Sequence, residues 1–179
     1  TFLLVGVQMG VASAYTMVYL AGPLRAPGVL LGIAEAIPIP LQIVVFLVAT
    51  RVVAWLTLPV AMHTCALAAA VRFAAFSLIE DPWLVAMFEM TWGWTFPVYF
   101  TVSVQLAEEF APHGLQASAI SLNHTSRQLG TTLTLFSSFA PLRLLGYART
   151  YAAFAALFAV AATPLACTLC IWRANHRRD

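Results

Sequence analysis

The chain has 179 residues, 61% of them hydrophobic and 9% charged, whereas charged residues make up roughly a quarter of an average soluble domain. That composition excludes an ordinary soluble domain and points to an integral membrane protein. Its nine basic residues are all arginine, set against seven acids for a net charge of +2, too small and too dispersed to be a nucleic-acid footprint.

A membrane helix needs roughly twenty mostly apolar residues, and the turn signals divide the sequence into six predicted spans. The first covers about residues 2–20 and stops at Ala21-Gly22-Pro23. The second, about 28–50, holds Glu35, Pro38, Pro40 and Gln42 and ends at Arg51. The third, about 58–79, carries Arg72 and closes at Glu80-Asp81-Pro82. The fourth, about 83–106, is followed by Glu108, Glu109 and Pro112-His113-Gly114. The fifth, about 115–139, is the most polar and is followed by a connector from Pro141 to Thr150. The sixth, about 151–172, runs into Arg173, His176, Arg177 and Arg178. The fold class is thus an all-α membrane protein of six transmembrane helices. Thr1 opens directly in a span with no basic leader, so the chain is expected to be part of a longer polypeptide. An even number of spans puts both termini on one side, and the arginine-rich tail makes that side cytoplasmic.

Charges inside the spans carry the functional argument, because an intramembrane ion survives only with a partner or in a wet cavity. Glu35 lies seven residues past Gly28, Arg72 seven before Ile79 and Glu89 six past Trp83, which at about 1.5 Å per residue places all three roughly 10 Å below one membrane edge. Arg127 is nearer the middle. Glu89 is therefore expected to balance Arg72 or Arg127, leaving Glu35 free for a proton or a substrate; the competing reading is a static network that only sets helix packing. Residues three, four and seven apart share a helix face, which gives polar stripes at Gln8-Tyr15-Tyr19, Glu35-Gln42, Glu89-Trp92-Gly93-Phe96 and His124-Arg127-Gln128-Thr131. Four such stripes predict a central water-accessible cavity, with the apolar sixth span turned to lipid. Candidate solute-binding or coupling residues are Gln8, Glu35, Arg72, Glu89, Trp92, His124, Arg127 and Gln128. Trp92, Trp94 and Tyr99 offer rings that could stack on a solute, although membrane aromatics more often pack or anchor. His124 is a minority candidate for a proton relay.

Other features carry less. Gly6 to Gly10 and Gly28 to Gly32 are GxxxG patterns expected to serve packing within the bundle. Cys65, Cys167 and Cys170 read as apolar filler with no metal site, and His63 and His113 as chemically idle. No GxSxG, HExxH or paired carboxylates are present, which argues against an enzyme, and no cofactor is expected. A channel lacks a glycine-rich filter or a ring of like charge.

Several segments together resemble the carboxyl-terminal six helices of the lactose-permease-like branch of the major facilitator superfamily. They are Ala34-Glu35-Ala36-Ile37-Pro38, Ala70-Val71-Arg72-Phe73, Phe88-Glu89 with Gly93-Trp94-Thr95-Phe96-Pro97, Ala111 to Ala119, and Ser126-Arg127-Gln128-Leu129-Gly130. The resemblance implies a three-plus-three inverted-repeat half that faces an amino-terminal six-helix half across a substrate site. It further implies sugar recognition at the position of Glu35 and proton coupling at that of Arg72, with a lysine in the place of Arg127. The branch's coupling histidine and carboxylate fall at Trp92 and Thr95, and a lysine of the branch at Glu89, so the coupling residues differ here. Expected partners are the lipid bilayer, a small-molecule solute and the amino-terminal half. The expected function is transport of a small polar solute, a sugar or similar, by alternating access as a symporter half; the alternative is a receptor or scaffold that kept the fold without transport. Glu108 and Glu109 would, by analogy, form a gate contact with the other half.

Overall fold

A computed structural model describes the backbone of residues 2–112, 114–137 and 139–176, and the side chains of these except 2–5, 12–14, 59, 107, 110, 139 and 163–176. His113, the side chains of Cys167 and Cys170, and the terminal arginines lie outside the described residues.

The described chain is helical: α1 (Phe2–Ala21), α2 (Gly28–Ala36), α3 (Pro38–Leu56), α4 (Leu58–Leu78), α5 (Pro82–Phe88), α6 (Met90–Phe110), α7 (Gln116–Ser137) and α8 (Phe139–His176). Local chemistry sets these bounds. α1 ends where Gly22 bonds back to the Val18 carbonyl and Pro23 follows. α2 gives way to α3 at Ile37 because Pro38 supplies no N–H to continue the ladder, yet Ile37 keeps helical angles, so the two form one bent rod. Thr57, at φ 66°, is the whole connection between α3 and α4. Asp81 caps α5 by accepting from the Trp83 amide at 2.8 Å, with Pro82 in the first turn. α5 passes to α6 through Glu89 alone, whose amide bonds to Ala86 O at 3.1 Å in a tightened turn.

The eight helices thus make six rods among the described residues, α2 with α3 and α5 with α6 each forming one. Three segments are long and apolar enough to cross a membrane: Gly28–Leu56, Val60–Leu78 and Ala140–Ala162. The strongest packing joins α1 to α7, α3 to α6 and α4 to α8. That set maps onto itself when the first three rods are exchanged with the last three.

α4 contributes to two cores. On one side Ala69, Phe73 and Phe76 meet Leu20 of α1, Leu30 of α2, Val85 of α5 and Tyr151 and Phe158 of α8. On the other, Ala61, Met62 and Cys65 meet Val45 and Val53 of α3 and Val98, Tyr99 and Val102 of α6. Cys65 is a free thiol buried in the second core.

Several sequence expectations are revised. The expected connector from Pro141 to Thr150 is helical, continuous with the sixth rod except at Gly146, whose φ of 77° and ψ of 172° kink it. The second and fourth rods run to Leu56 and Phe110, so Arg51, Glu108 and Glu109 are exposed helical residues rather than loop residues. α8 is not wholly turned outward: Tyr151, Phe158 and Ala162 are buried, while Leu157 and Val160 are exposed. Of the two GxxxG patterns, one packs and one does not. A Cβ on Gly6 would stand 2.0 Å from Arg127 O, and one on Gly10 2.8 Å from Thr131 O, so both glycines let α1 lie directly on α7. Gly28 and Gly32 have nothing within 4 Å.

Gly6→Ala is therefore expected to lower stability by about 1–3 kcal/mol through overpacking, whereas Gly32→Ala is expected to be neutral or stabilising by up to about 1 kcal/mol through helix propensity. Thermal unfolding in detergent checks both, and equal effects at the two positions would show that α1 does not rest on α7 through Gly6.

Candidate functional site

Arg72 is 1% exposed, among the most buried side chains of the chain. α4 carries it inward on the face that also holds Ala69 and Phe76, three before and four after it, a helical spacing that puts all three on one side. Its Nη2 donates to Glu89 Oε2, and Glu89 is itself 6% exposed. The guanidinium carbon lies 5.4 Å from the centroid of Phe76 and 5.6 Å from that of Trp92, both inside the range of roughly 6 Å at which a cation is drawn to a ring. Trp92 follows Glu89 by one helical turn, so the same stretch supplies the carboxylate and the ring. Phe96 stacks on Trp92 at 5.6 Å and steadies it.

The ion pair forms part of the wall of a cavity of about 230 Å³. Glu35 and Pro38 enter the wall from either side of the Ile37 bend, and Met9 and Met17 from α1. The rod that carries Glu35 and the rod that carries Glu89 cross tightly, since a Cβ on Gly93 would meet Pro38 O at 2.9 Å and Leu41 Cβ at 2.8 Å. Both helix interruptions, at Ile37 and at Glu89, therefore sit at the cavity. Arg72 Nε and Nη1 and Glu89 Oε1 are buried with no hydrogen-bond partner among the described residues, so the pair leaves bonding capacity beside the cavity.

The eight candidate residues do not all converge. Glu35, Arg72, Glu89 and Trp92 line the cavity together. Of the two cations offered for Glu89, it takes Arg72; Arg127 is half-buried and its Nη1 donates to Met9 Sδ at 3.0 Å. Gln8 is 3% exposed and its Nε2 has no partner among the described residues. The rest of its stripe is turned to neighbouring helices: Tyr15 donates to Leu135 O at 2.8 Å and Tyr19 is buried in the first core. His124 and Gln128 are exposed, with the His124 ring 6.0 Å from Phe100. Trp94 packs on the second core, and Tyr99 donates to Asn123 Oδ1 at 3.1 Å, which leaves Trp92 as the ring of that trio that faces the cavity.

Phe76, Met9 and Met17 are the residues that sequence reasoning passed over. Phe76 was findable, one helical turn from Arg72. The two methionines, eight apart, repeat on one face of α1, but sulfur side chains in an apolar span look like filler.

Removing one member of a buried ion pair strands the other. Arg72→Met and Glu89→Gln are each expected to cost about 3–5 kcal/mol, and the double variant to recover a large part of that loss. A double-mutant cycle from unfolding in detergent measures the coupling; strictly additive losses would show that the two do not stabilise each other.

The model of the MFS_1 like family matches residues 1–138, most of the chain. No curated protein and no solved structure matches it. The chain therefore belongs to the MFS_1 like family, and with its apolar helices it is a membrane protein of transporter-related function, a class distinct from enzymes.

Proposed function

We propose that the chain is one six-span half of a secondary transporter that moves a small polar solute by alternating access, with a second six-helix half facing the cavity. The observation that carries this reading is the charged cavity wall, where Glu35 and the Arg72–Glu89 pair gather at two helix interruptions. Ionisable side chains and interrupted helices are costly at membrane depth and are tolerated where they border a cavity or buried protein. Substrate sites of such carriers are built between repeats from discontinuous helices. The pairing of first rod with fifth, second with fourth and third with sixth supports the repeat. In this reading the carboxyl terminus is cytoplasmic. Glu35 is the carboxylate free to meet a proton or solute, because Glu89 is held by Arg72. Gln8, His124 and Gln128 do not line the cavity, and Arg127 reaches its wall through Met9.

Uptake of radiolabelled small polar solutes into liposomes holding the full-length protein tests the proposal. Saturable accumulation is expected, falling about tenfold or more in Glu35→Gln, since a lost charged hydrogen bond is worth roughly 1.5–3 kcal/mol. Saturable binding without accumulation would identify a receptor instead. Wild-type uptake by properly folded Glu35→Gln and Glu89→Gln would remove both residues from the transport site.

A further inference from the structure

Four charged side chains stand at or beside the cavity, and they are unequally satisfied. Arg72 and Glu89 neutralise one another. Glu35, exposed on α2, lines the cavity and has no hydrogen bond or ion pair among the described residues. Arg127, on α7, directs Nη1 to the thioether of Met9, a weak acceptor for a guanidinium. Met9 is itself part of the cavity wall, so the thioether that holds this guanidinium belongs to that wall.

The charges without a charged partner are thus one negative, Glu35 on the cavity wall, and one positive, Arg127 in contact with wall residue Met9. A purely cationic solute would satisfy Glu35 and leave Arg127 with sulfur. An anion would do the reverse, and a neutral polyol would satisfy neither charge. We infer that the solute is a small zwitterion, with an ammonium end at Glu35 and a carboxylate end that displaces the Met9 thioether from Arg127. The inference rests on the transporter reading and narrows its substrate class.

Three features fit the ligand. A carboxylate can accept two parallel hydrogen bonds from a guanidinium, which a single thioether cannot. The wall beside Glu35 is apolar, formed by Ala34, Pro38 and Met17, and suits the methylene or methyl groups around an ammonium. The cavity, at about 230 Å³, has room for a molecule the size of an amino acid or a betaine. His124 lies one turn before Arg127 on α7, exposed and against Phe100, and does not line the cavity.

The test uses the full-length protein in liposomes and six radiolabelled probes: glycine, γ-aminobutyrate and glycine betaine as zwitterions, with choline, propionate and mannitol as cation, anion and neutral solute. At least one zwitterion is expected to bind saturably, with the three other probes about tenfold or more weaker. Glu35→Gln and Arg127→Gln should each weaken that zwitterion about tenfold, while Glu35→Asp keeps most of the affinity and Arg127→Lys, which holds the charge but loses the paired hydrogen bonds, falls between wild type and Arg127→Gln. Preference for choline, propionate or mannitol over every zwitterion, or zwitterion binding indifferent to both neutralising variants, overturns the inference and leaves the transporter reading standing. Failure of all six probes to bind or accumulate overturns the inference, and the transporter reading is then decided by the broader uptake test of polar solutes.

Discussion

The arrangement depends on where Arg72 must put its charge. A guanidinium does not deprotonate in a protein, and Arg72 lies on α4, the rod shared by both cores. It is held there by three contacts of different kinds: a carboxylate from Glu89, and the faces of Phe76 and Trp92. Two of the three come from the fourth rod, at and just after the residue where that rod is interrupted. The break at Glu89 and the neutralisation of Arg72 are consequently one event in the fold. The rod turns where its carboxylate is anchored, and the anchor brings Trp92 to the cavity.

The second rod answers with a bend of its own. Pro38 stops the ladder at Ile37, and its carbonyl lies against Gly93. Because Gly93 has no side chain, the two bent rods touch at backbone distance beside the ion pair. Glu35, just before the bend, is left facing the cavity while its helix buries Leu30 and Ala34. Packing and exposure thus alternate along one short helix, and the free carboxylate is a product of that alternation.

Much of this could be read from residues alone. Counting from the span ends put Glu35, Arg72 and Glu89 in one layer, and the structure brings those three to one cavity. Depth is a one-dimensional quantity, and it carried no azimuth. That is why Gln8 and Tyr15 looked like cavity residues: a polar stripe on an isolated helix does not say which neighbour receives it. Here the close approach licensed by Gly6 and Gly10 gives α7 that role, with Tyr15 donating to Leu135 O. Likewise Gly28 and Gly32 carry the same spacing as Gly6 and Gly10, yet they meet open space. Spacing alone does not name a partner. The Pro141 to Thr150 stretch looked like a connector because of its proline and two arginines, but proline is compatible with the first turn of a helix, and the break comes at Gly146 instead.

The pairing of the rods also has a consequence for biosynthesis. The surface of α1 that holds Gly6 and Gly10 finds its partner only when α7 has been made, since the residues it touches, Arg127 and Thr131, lie more than a hundred positions later. α3 and α4 must likewise wait for α6 and α8. Chains elongate at roughly 5–20 residues per second, so a newly inserted first helix stays without its native neighbour for several seconds, whereas Glu89 follows Arg72 by only 17 residues. The carboxylate that neutralises the third span is thus made soon after it, and of the three main pairings it is the glycine face of α1 that waits longest for its native partner.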